Sequence, residues 1–403
     1  MWLVNVAFGQ EILDRLETRN ASGTAWQPDT APMHGFAGEA GALRWMAHAN
    51  AFGMYDWQAG EGGELGSVNW VMGRVAARPG AADLGARVMV SLEPLTLGGD
   101  GYPLVGQTGE TWGGEPLVDR QHPHDLLMEV ALQYRQAVGE HVATELYVAP
   151  AGEPALGPAA FPHRASAIAD PVAPLGHHWQ DSSHISHGVV TAGVATSFGK
   201  IEGSWFNGRE PDEGRYDLDV RVPDSWSARA TLNPVEALSA QVSYGWLASP
   251  ETLAPDRPLT RVTASLTYDH AMRGQGNWAT TAAWGRNVEG EHATDSALVE
   301  STLSAGRHVN LFGRAEYVVK AAEDFGRAGE ATYGLASVGL GHVYTVEALP
   351  GWATGLGVRG SVTRVPPELE RAYGTRTPLG AIVYLQLRPR EMEHKEPGEG
   401  RGH

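Results

Sequence analysis
The side chains best suited to chemistry in this sequence are imidazoles, 16 in 403 residues, and many of them are bunched. The stretch DRQHPHD, from Asp119 to Asp125, sets His122 and His124 either side of Pro123 and between carboxylates. Further on, GHHWQDSSHISHG adds His177, His178, His184 and His187, with Asp181 among them. In an extended segment, residues i and i+2 share a face, so His122 and His124 could grip one ion together. His177 or His178, with His184 and a carboxylate such as Asp125 or Asp181, could complete its shell. Imidazole with carboxylate suits zinc, copper(II) or nickel(II) better than calcium or magnesium, so the cofactor implied is a divalent transition metal, zinc or copper. Met33 and His34 near the N-terminus offer a softer pair. The plainer alternative is that these histidines bind the loops to one another and to the wall behind them, or face water. No fixed ligand spacing such as paired CxxC chooses between the two.

A second chemistry is written in His184-Ile185-Ser186, with Asp181 close by. A base and a hydroxyl two positions apart on one strand face can meet, as nucleophilic catalysis by a lipid hydrolase requires. Such a string arises easily in a chain with 16 histidines, and no Gly-x-Ser-x-Gly elbow accompanies it. The expectation is therefore no enzyme and no catalytic residues, with a hydrolase around His184 and Ser186 as the lesser alternative. The loop FNGREPDEGRYDLD, from Phe206 to Asp219, mixes Arg209, Glu210, Asp212, Glu213 and Arg215. It could be an internally paired lid or a cation-binding mouth, and exposed ion pairs of this kind are common.

What must hold these segments is visible in composition and period. There is no cysteine, which removes disulfides and thiol chemistry. A formal charge of −17 argues against nucleic acid as a partner and suits cations. The 13 Trp and 12 Tyr outnumber the 8 Phe, a bias towards rings with a polar tip that suits a water–apolar boundary. No apolar run approaches the ~20 residues of a membrane helix. The opening MWLVNVAFGQ reads as the tail of an apolar signal-peptide region ending near Ala7-Phe8-Gly9 or, failing that, as a plain apolar N-terminus.

From Leu43 onward, apolar and polar residues alternate with period two, the mark of strands with one apolar and one polar face. In RVTASLTYDH, Val262, Ala264, Leu266 and Tyr268 oppose Arg261, Thr263, Ser265, Thr267 and Asp269. Sixteen strands are predicted, beginning near Leu43, Ser67, Leu84, Leu126, His141, His184, Lys200, Ser225, Ala237, Leu259, Asn277, Ser296, Arg307, Thr332, Trp352 and Leu379. Tight connections, such as Arg78 to Ala82 and Met272 to Gly276, alternate with longer ones, such as Asp56–Gly66, Glu210–Asp224 and Arg364–Pro378. That alternation predicts an all-β fold, a single transmembrane antiparallel β-barrel with short periplasmic turns and long extracellular loops. Arg44, Arg74, Glu129, Gln133, Glu145, Arg229, Arg261, Arg314 and Glu316 would then line the pore, solvated by lumen water. Tyr55, Trp57, Tyr147, Trp246, Tyr268, Trp284 and Tyr344 would form interfacial girdles.

The whole chain resembles a bacterial outer-membrane barrel of porin-like size. The strings GTAWQPDTAPMH, GETWGGEPLVDRQHPHD, GEPALGPAAFPHR, GHHWQDSSHIS and GREPDE resemble an uncharacterised family of predicted outer-membrane proteins. The last strand, LGAIVYLQLRP, departs from the barrel pattern in that a charged tail follows it. The resemblance implies an outer-membrane location, lipid as a partner and, since porins of this size are often trimers, a homotrimer. Residues 1–40 would be a signal-peptide remnant plus a periplasmic or lumenal segment, 41–390 the barrel, and 391–403 a polar tail. The function expected is a channel for small hydrophilic solutes, cations over anions, constricted by two long histidine-bearing loops at 93–125 and 150–183. A metal-binding or metal-transport protein using the same loops is the alternative.

Overall fold
Period-two alternation does set the architecture. The computed structural model describes residues 2–252, 254–272 and 276–392. Its first eight barrel strands are β1 (Leu43–Gln58), β2 (Gly62–Ala77), β3 (Ala82–Val90), β4 (Leu127–Ala137), β5 (Val142–Gly152), β6 (Ser186–Thr196), β7 (Gly199–Asn207) and β8 (Ser225–Val235). Eight more follow: β9 (Leu238–Leu247), β10 (Leu259–Met272), β11 (Gly276–Glu289), β12 (His292–Ala305), β13 (Val309–Ala321), β14 (Thr332–Leu349), β15 (Trp352–Arg364) and β16 (Leu379–Pro389). Each strand pairs antiparallel with its sequence neighbours. β1 pairs with β16, Ala51 opposite Leu387 and Tyr55 opposite Val383, so the sheet closes on itself. Closure leaves no edge with unpaired backbone groups.

Six of the predicted starts, Leu43, Ser225, Leu259, Thr332, Trp352 and Leu379, coincide with the observed ones. Two connections expected to be long are not. The segment predicted as a loop over Asp56–Gly66 is mostly strand, with only Ala59–Glu61 turning between β1 and β2, and β11 turns into β12 through Gly290 and Glu291 alone. Both turns are glycine-borne, with Gly60 at φ 97° and Gly290 at φ 57°, a region in which a side chain would be strained. Met272 and Gly276 stand opposite each other as the expected turn requires, while residues 273–275 between them and the tail beyond Met392 lie outside the described residues.

The outer face is apolar: Leu132, Ile201, Val242, Leu340 and Leu356 are each more than half exposed. A continuous band of this kind is costly in water and at home in hydrocarbon. Tyr55, Trp57 and Tyr344 stand exposed on it, and Trp246, Tyr268 and Trp284 are half-buried. Tyr147, expected on the girdle, is instead fully buried and donates its hydroxyl hydrogen bond to Glu129 inside the barrel. It follows Glu145 by two positions and so shares that residue's inward face.

The interior is filled from both ends. At the short-turn end, helix α1 (Trp2–Thr18) packs Ile12, Leu13 and Leu16 against Ala137, Ala143 and Ala195 of the wall. Its Glu17 accepts from Arg44 at 2.6 Å and from Arg74 and Arg78 at 2.7 Å. The chain then runs up into the lumen, where Arg87 donates to the Gly23 carbonyl at 2.6 Å and Arg229 to the Thr24 hydroxyl at 3.0 Å. From the other end come the connections between β3 and β4 and between β5 and β6. The second crosses the whole section: Gly157 N–H donates to Ser243 of β9 (2.9 Å), Ser166 to Thr281 of β11 (2.8 Å) and Leu175 N–H to Glu316 of β13 (2.7 Å).

The polar wall residues accordingly meet protein rather than open water. Gln133 and Arg135 hold Glu145, and Arg87 holds Glu129. Arg229 donates to Glu202 at 2.9 Å and to the Gly157 carbonyl at 3.0 Å, Arg261 to Ser182 at 2.9 Å, and Arg314 to Glu300 and the Val172 carbonyl, both at 2.9 Å. The expectation of lumen water around them is corrected. A loop brought inside carries backbone donors and acceptors that need partners, and these side chains supply them.

Candidate metal centre
The two histidine-bearing loops meet near the long-connection end, held by distinct local devices. Glu93, two residues beyond the interior-facing Ser91, accepts from both the backbone N–H of His124 (2.8 Å) and its Nδ1–H (2.9 Å), fixing the DRQHPHD segment. A short helical turn, His177–Gln180, presents His177 and His178, and the turn Ser182–His184 follows it directly. Arg164 ties this region to the wall, reaching Asp181 at 2.7 Å and Glu300 of β12 at 2.6 Å.

The result is a closed ring of five imidazoles. Around it, centroids are separated by 6.4 Å (His122–His124), 5.2 Å (His124–His184), 5.2 Å (His184–His177), 5.2 Å (His177–His178) and 5.8 Å (His178–His122). Phe161 packs against His124, His177 and His184 and gives the ring an apolar side. All five are buried or nearly so.

Their nitrogens are sorted. Each Nδ1 has an acceptor: Glu93 for His124, Asp181 Oδ1 for His177 (2.8 Å), Glu210 for His178 (3.2 Å), the Asp181 carbonyl for His184 (2.8 Å) and the Pro123 carbonyl for His122 (3.2 Å). The Nε2 atoms of His122, His124, His178 and His184 are buried with no hydrogen-bond partner. Nδ1–H to carboxylate or carbonyl with a free Nε2 is the arrangement that holds a metal-ligating histidine in tautomer and orientation. Unpartnered buried polar atoms otherwise cost about 1–3 kcal/mol each, so those of His124, His178 and His184, gathered in one place, call for a reason.

One acidic oxygen faces the ring. Glu110 Oε1 lies 3.3 Å from His122 Nε2, and ligand atoms of Glu110, His122 and His178 all fall within 4.8 Å of one another. Donors sharing one tetrahedral ion at about 2.0–2.1 Å would stand about 3.3 Å apart, so small side-chain rotations suffice. A cavity of about 10 Å³ opens between Glu110, His122, His124, Asp125, His184 and Arg215, room for a single small ion.

Burial drives the His122 and His184 rings well below the ordinary imidazole value, with Arg215 adding to this at His122 and His177 at His184. His177 is also lowered by burial, against the pull of Asp181. Asp181 would be raised by burial, but Arg164 and His177 hold it below the usual carboxylate range. Neutral rings keep Nε2 lone pairs free. The sign follows: below about pH 6.5 an unfolded chain takes up protons first, so the packing is fully stabilising above that value and weakens as pH falls beneath it. Burial also drives Glu110 well above the usual carboxylate range, against the pull of Arg215, so metal binding must displace its proton and metal affinity, measured by calorimetry, is expected to fall as pH is lowered.

The predicted ligand residues thus divide. His122, His124, His177, His178 and His184 form the ring, Asp181 supports two of them, and Asp125 sits at the rim, 3.3 Å from Arg215. Glu93, Glu110 and Phe161 were not among the residues singled out, because each is brought in by a loop path that spacing does not reveal. Glu210 belongs to the loop read as a lid or mouth. Met33 and His34 do not join the ring; they lie deeper, by His48. Of the hydrolase pair, Ser186 donates to the Ser183 carbonyl at 3.0 Å while His184 is engaged at Asp181, so base and hydroxyl are turned to other partners.

The sequence matches no family model and no curated protein. By structure the chain is similar to the anion-selective porin from Comamonas acidovorans, at 11% identity over 86% of this chain and 99% of that one, with a TM-score of 0.52. It is also similar to Salmonella typhi OmpF, solved in complex with daunomycin, at 9% identity over 88% and 100% of the chains, TM-score 0.54. At these identities the likeness is one of fold: this chain is a closed, sixteen-stranded antiparallel barrel of the porin type.

Proposed function
We propose that this protein is a bacterial outer-membrane barrel that takes a divalent transition-metal ion, zinc or copper, on the histidine ring at the long-connection end of its lumen. The observation that carries the reading is the set of four buried Nε2 atoms that make no hydrogen bond, one of them, on His122, facing the Glu110 carboxylate, while all four Nδ1 partners are in place. The net charge of −17 draws cations towards it, and the apolar exterior suits the membrane. Titrating zinc or copper(II) into the purified barrel in detergent is expected to give saturable binding. His122→Ala with His178→Ala should lower the affinity about tenfold or more, since both bear free Nε2 atoms. Unchanged affinity in that double variant, or no binding by the parent, overturns the reading.

A second reading, favoured by the sixteen-stranded wall, is passage of small hydrophilic solutes, with cations preferred and the two loops as the constriction. A barrel of this strand number leaves an aqueous channel once its loops withdraw. The homotrimer and the likeness to the uncharacterised outer-membrane family belong to this reading too, and chemical cross-linking in membranes tests the assembly.

A further inference from the structure
Deeper in the lumen, where the N-terminal segment, the wall and the second loop meet, lies a cavity of about 90 Å³. Its lining includes Met33, His34, Met46, His48, Met72 and His163. None of these belongs to the histidine ring. Strand register continues the lining into a row: His48 of β1 stands opposite Met72 of β2, and Met72 opposite Met89 of β3, which lies just behind the lining. His163, carried by the loop that crosses the lumen, closes the row, with Nε2 3.4 Å from Met89 Sδ and its ring 4.7 Å from that of Trp70.

We infer that this row, His48, Met72, Met89 and His163, is a site for a soft monovalent cation of the copper(I) or silver(I) class. Thioether and imidazole are the ligands such ions prefer over carboxylate and water. The spacing of His163 Nε2 and Met89 Sδ fits: a nitrogen at about 2.0 Å and a sulfur at about 2.3 Å from a shared ion, at a roughly tetrahedral angle, stand about 3.5 Å apart. His48 is prepared as a ligand, because its Nδ1 lies 2.8 Å from the His34 carbonyl, which directs Nε2 to the cavity. His34 itself accepts from Arg388 at Nδ1, so it is a positioning residue and not a ligand. Burial keeps His163 neutral, its ring pushed down to about 3.

Charge argues for a single positive charge rather than two. Arg74 and Arg87 border the same cavity, and although Glu17, Asp83 and Glu129 pair with them, no further carboxylate among the described lining residues is left to offset a divalent ion. Methionine often serves merely to fill irregular gaps, and Met72, Met89 and Met128 do pack with Trp70 and Ile185. Here, however, Met33, Met46 and Met72 border a space they leave unfilled, interleaved with His34, His48 and His163. The inference extends the metal reading but uses other side chains, so either can fail alone.

The test titrates silver(I), in chloride-free buffer, into the full-length barrel, and copper(I) against a chelator of known affinity. Met72→Leu with Met89→Leu conserves volume, so the barrel should fold. Silver and copper(I) affinity are expected to fall about tenfold or more in that variant while zinc affinity at the ring is unchanged. His122→Ala with His178→Ala should do the reverse. X-ray absorption of the copper(I) form should show sulfur in the first shell. Silver binding that is absent in the parent, or equal in parent and Met72→Leu/Met89→Leu, overturns the site.

Discussion

Replacing residues 159–174 by a glycine–serine run of equal length is expected to turn a nearly closed barrel into a conducting one. In planar bilayers the current per channel should rise by at least about tenfold, towards that of an aqueous sixteen-stranded pore. The native stretch carries Phe161, Arg164, Ser166 and Val172 across the lumen and ties them to β11, β12 and β13. A flexible polar run has neither the apolar surface nor the fixed donors to stay there. The wall it leaves would show Glu300, Arg314 and Glu316, now buried, to water, and the sign of ion selectivity would report their balance. If the variant keeps its strand content yet passes no current, the loop is not what closes the barrel.

The second large effect belongs to one side chain. Arg164 is buried, and its guanidinium joins Asp181, which orients two ring histidines, to Glu300 on the wall. Arg164→Ala takes the guanidinium from Asp181, while Arg314 still holds Glu300. Breaking a buried pair in this way costs about 3–5 kcal/mol, equivalent to a loosening of the loop by a hundredfold or more. Hydrogen exchange of the backbone amides between Ser166 and Asp181 should accelerate accordingly, and zinc affinity should fall with it. Arg164→Lys, which offers a point charge and not a fork, should recover only part of the protection. Exchange at the parent rate in Arg164→Ala would mean that the loop is held by its apolar contacts alone.

The strands could be read from the sequence because a half-exposed strand writes its two faces into alternate positions, and sixteen repetitions left little room for another fold. Where the reading slipped, a local feature had masked the period. The glycine- and acid-rich run after Asp56 resembles a loop in composition, yet β1 and β2 continue through it to a turn at Gly60. The residue type of Tyr147 suggests the outer girdle, although its parity with Glu145 places it inside. The ring was partly legible, since bunched histidines on two loops sharing a rim tend to meet. Its supports were not. Glu93 and Glu110 reach His124 and His122 from elsewhere in the same loop, and Glu210 reaches His178 from another loop, and no periodicity records a contact made by an irregular path. Nor did the alternation announce the filled lumen, because a side chain facing water and one facing a buried loop are both polar.

One consequence concerns how such a molecule can be put together. The stretch from Arg19 to His34 is enclosed by a wall whose final seam joins β1 to β16, and the residues it touches, Arg87 and Arg229, belong to different sides of that wall. Either it is captured before the cylinder zips shut, or it must thread in later through the mouth where α1 sits. A bulky folded tag ahead of α1 would hinder the late route and leave early capture unaffected, so the kinetics of maturation for a tagged chain would tell the two histories apart.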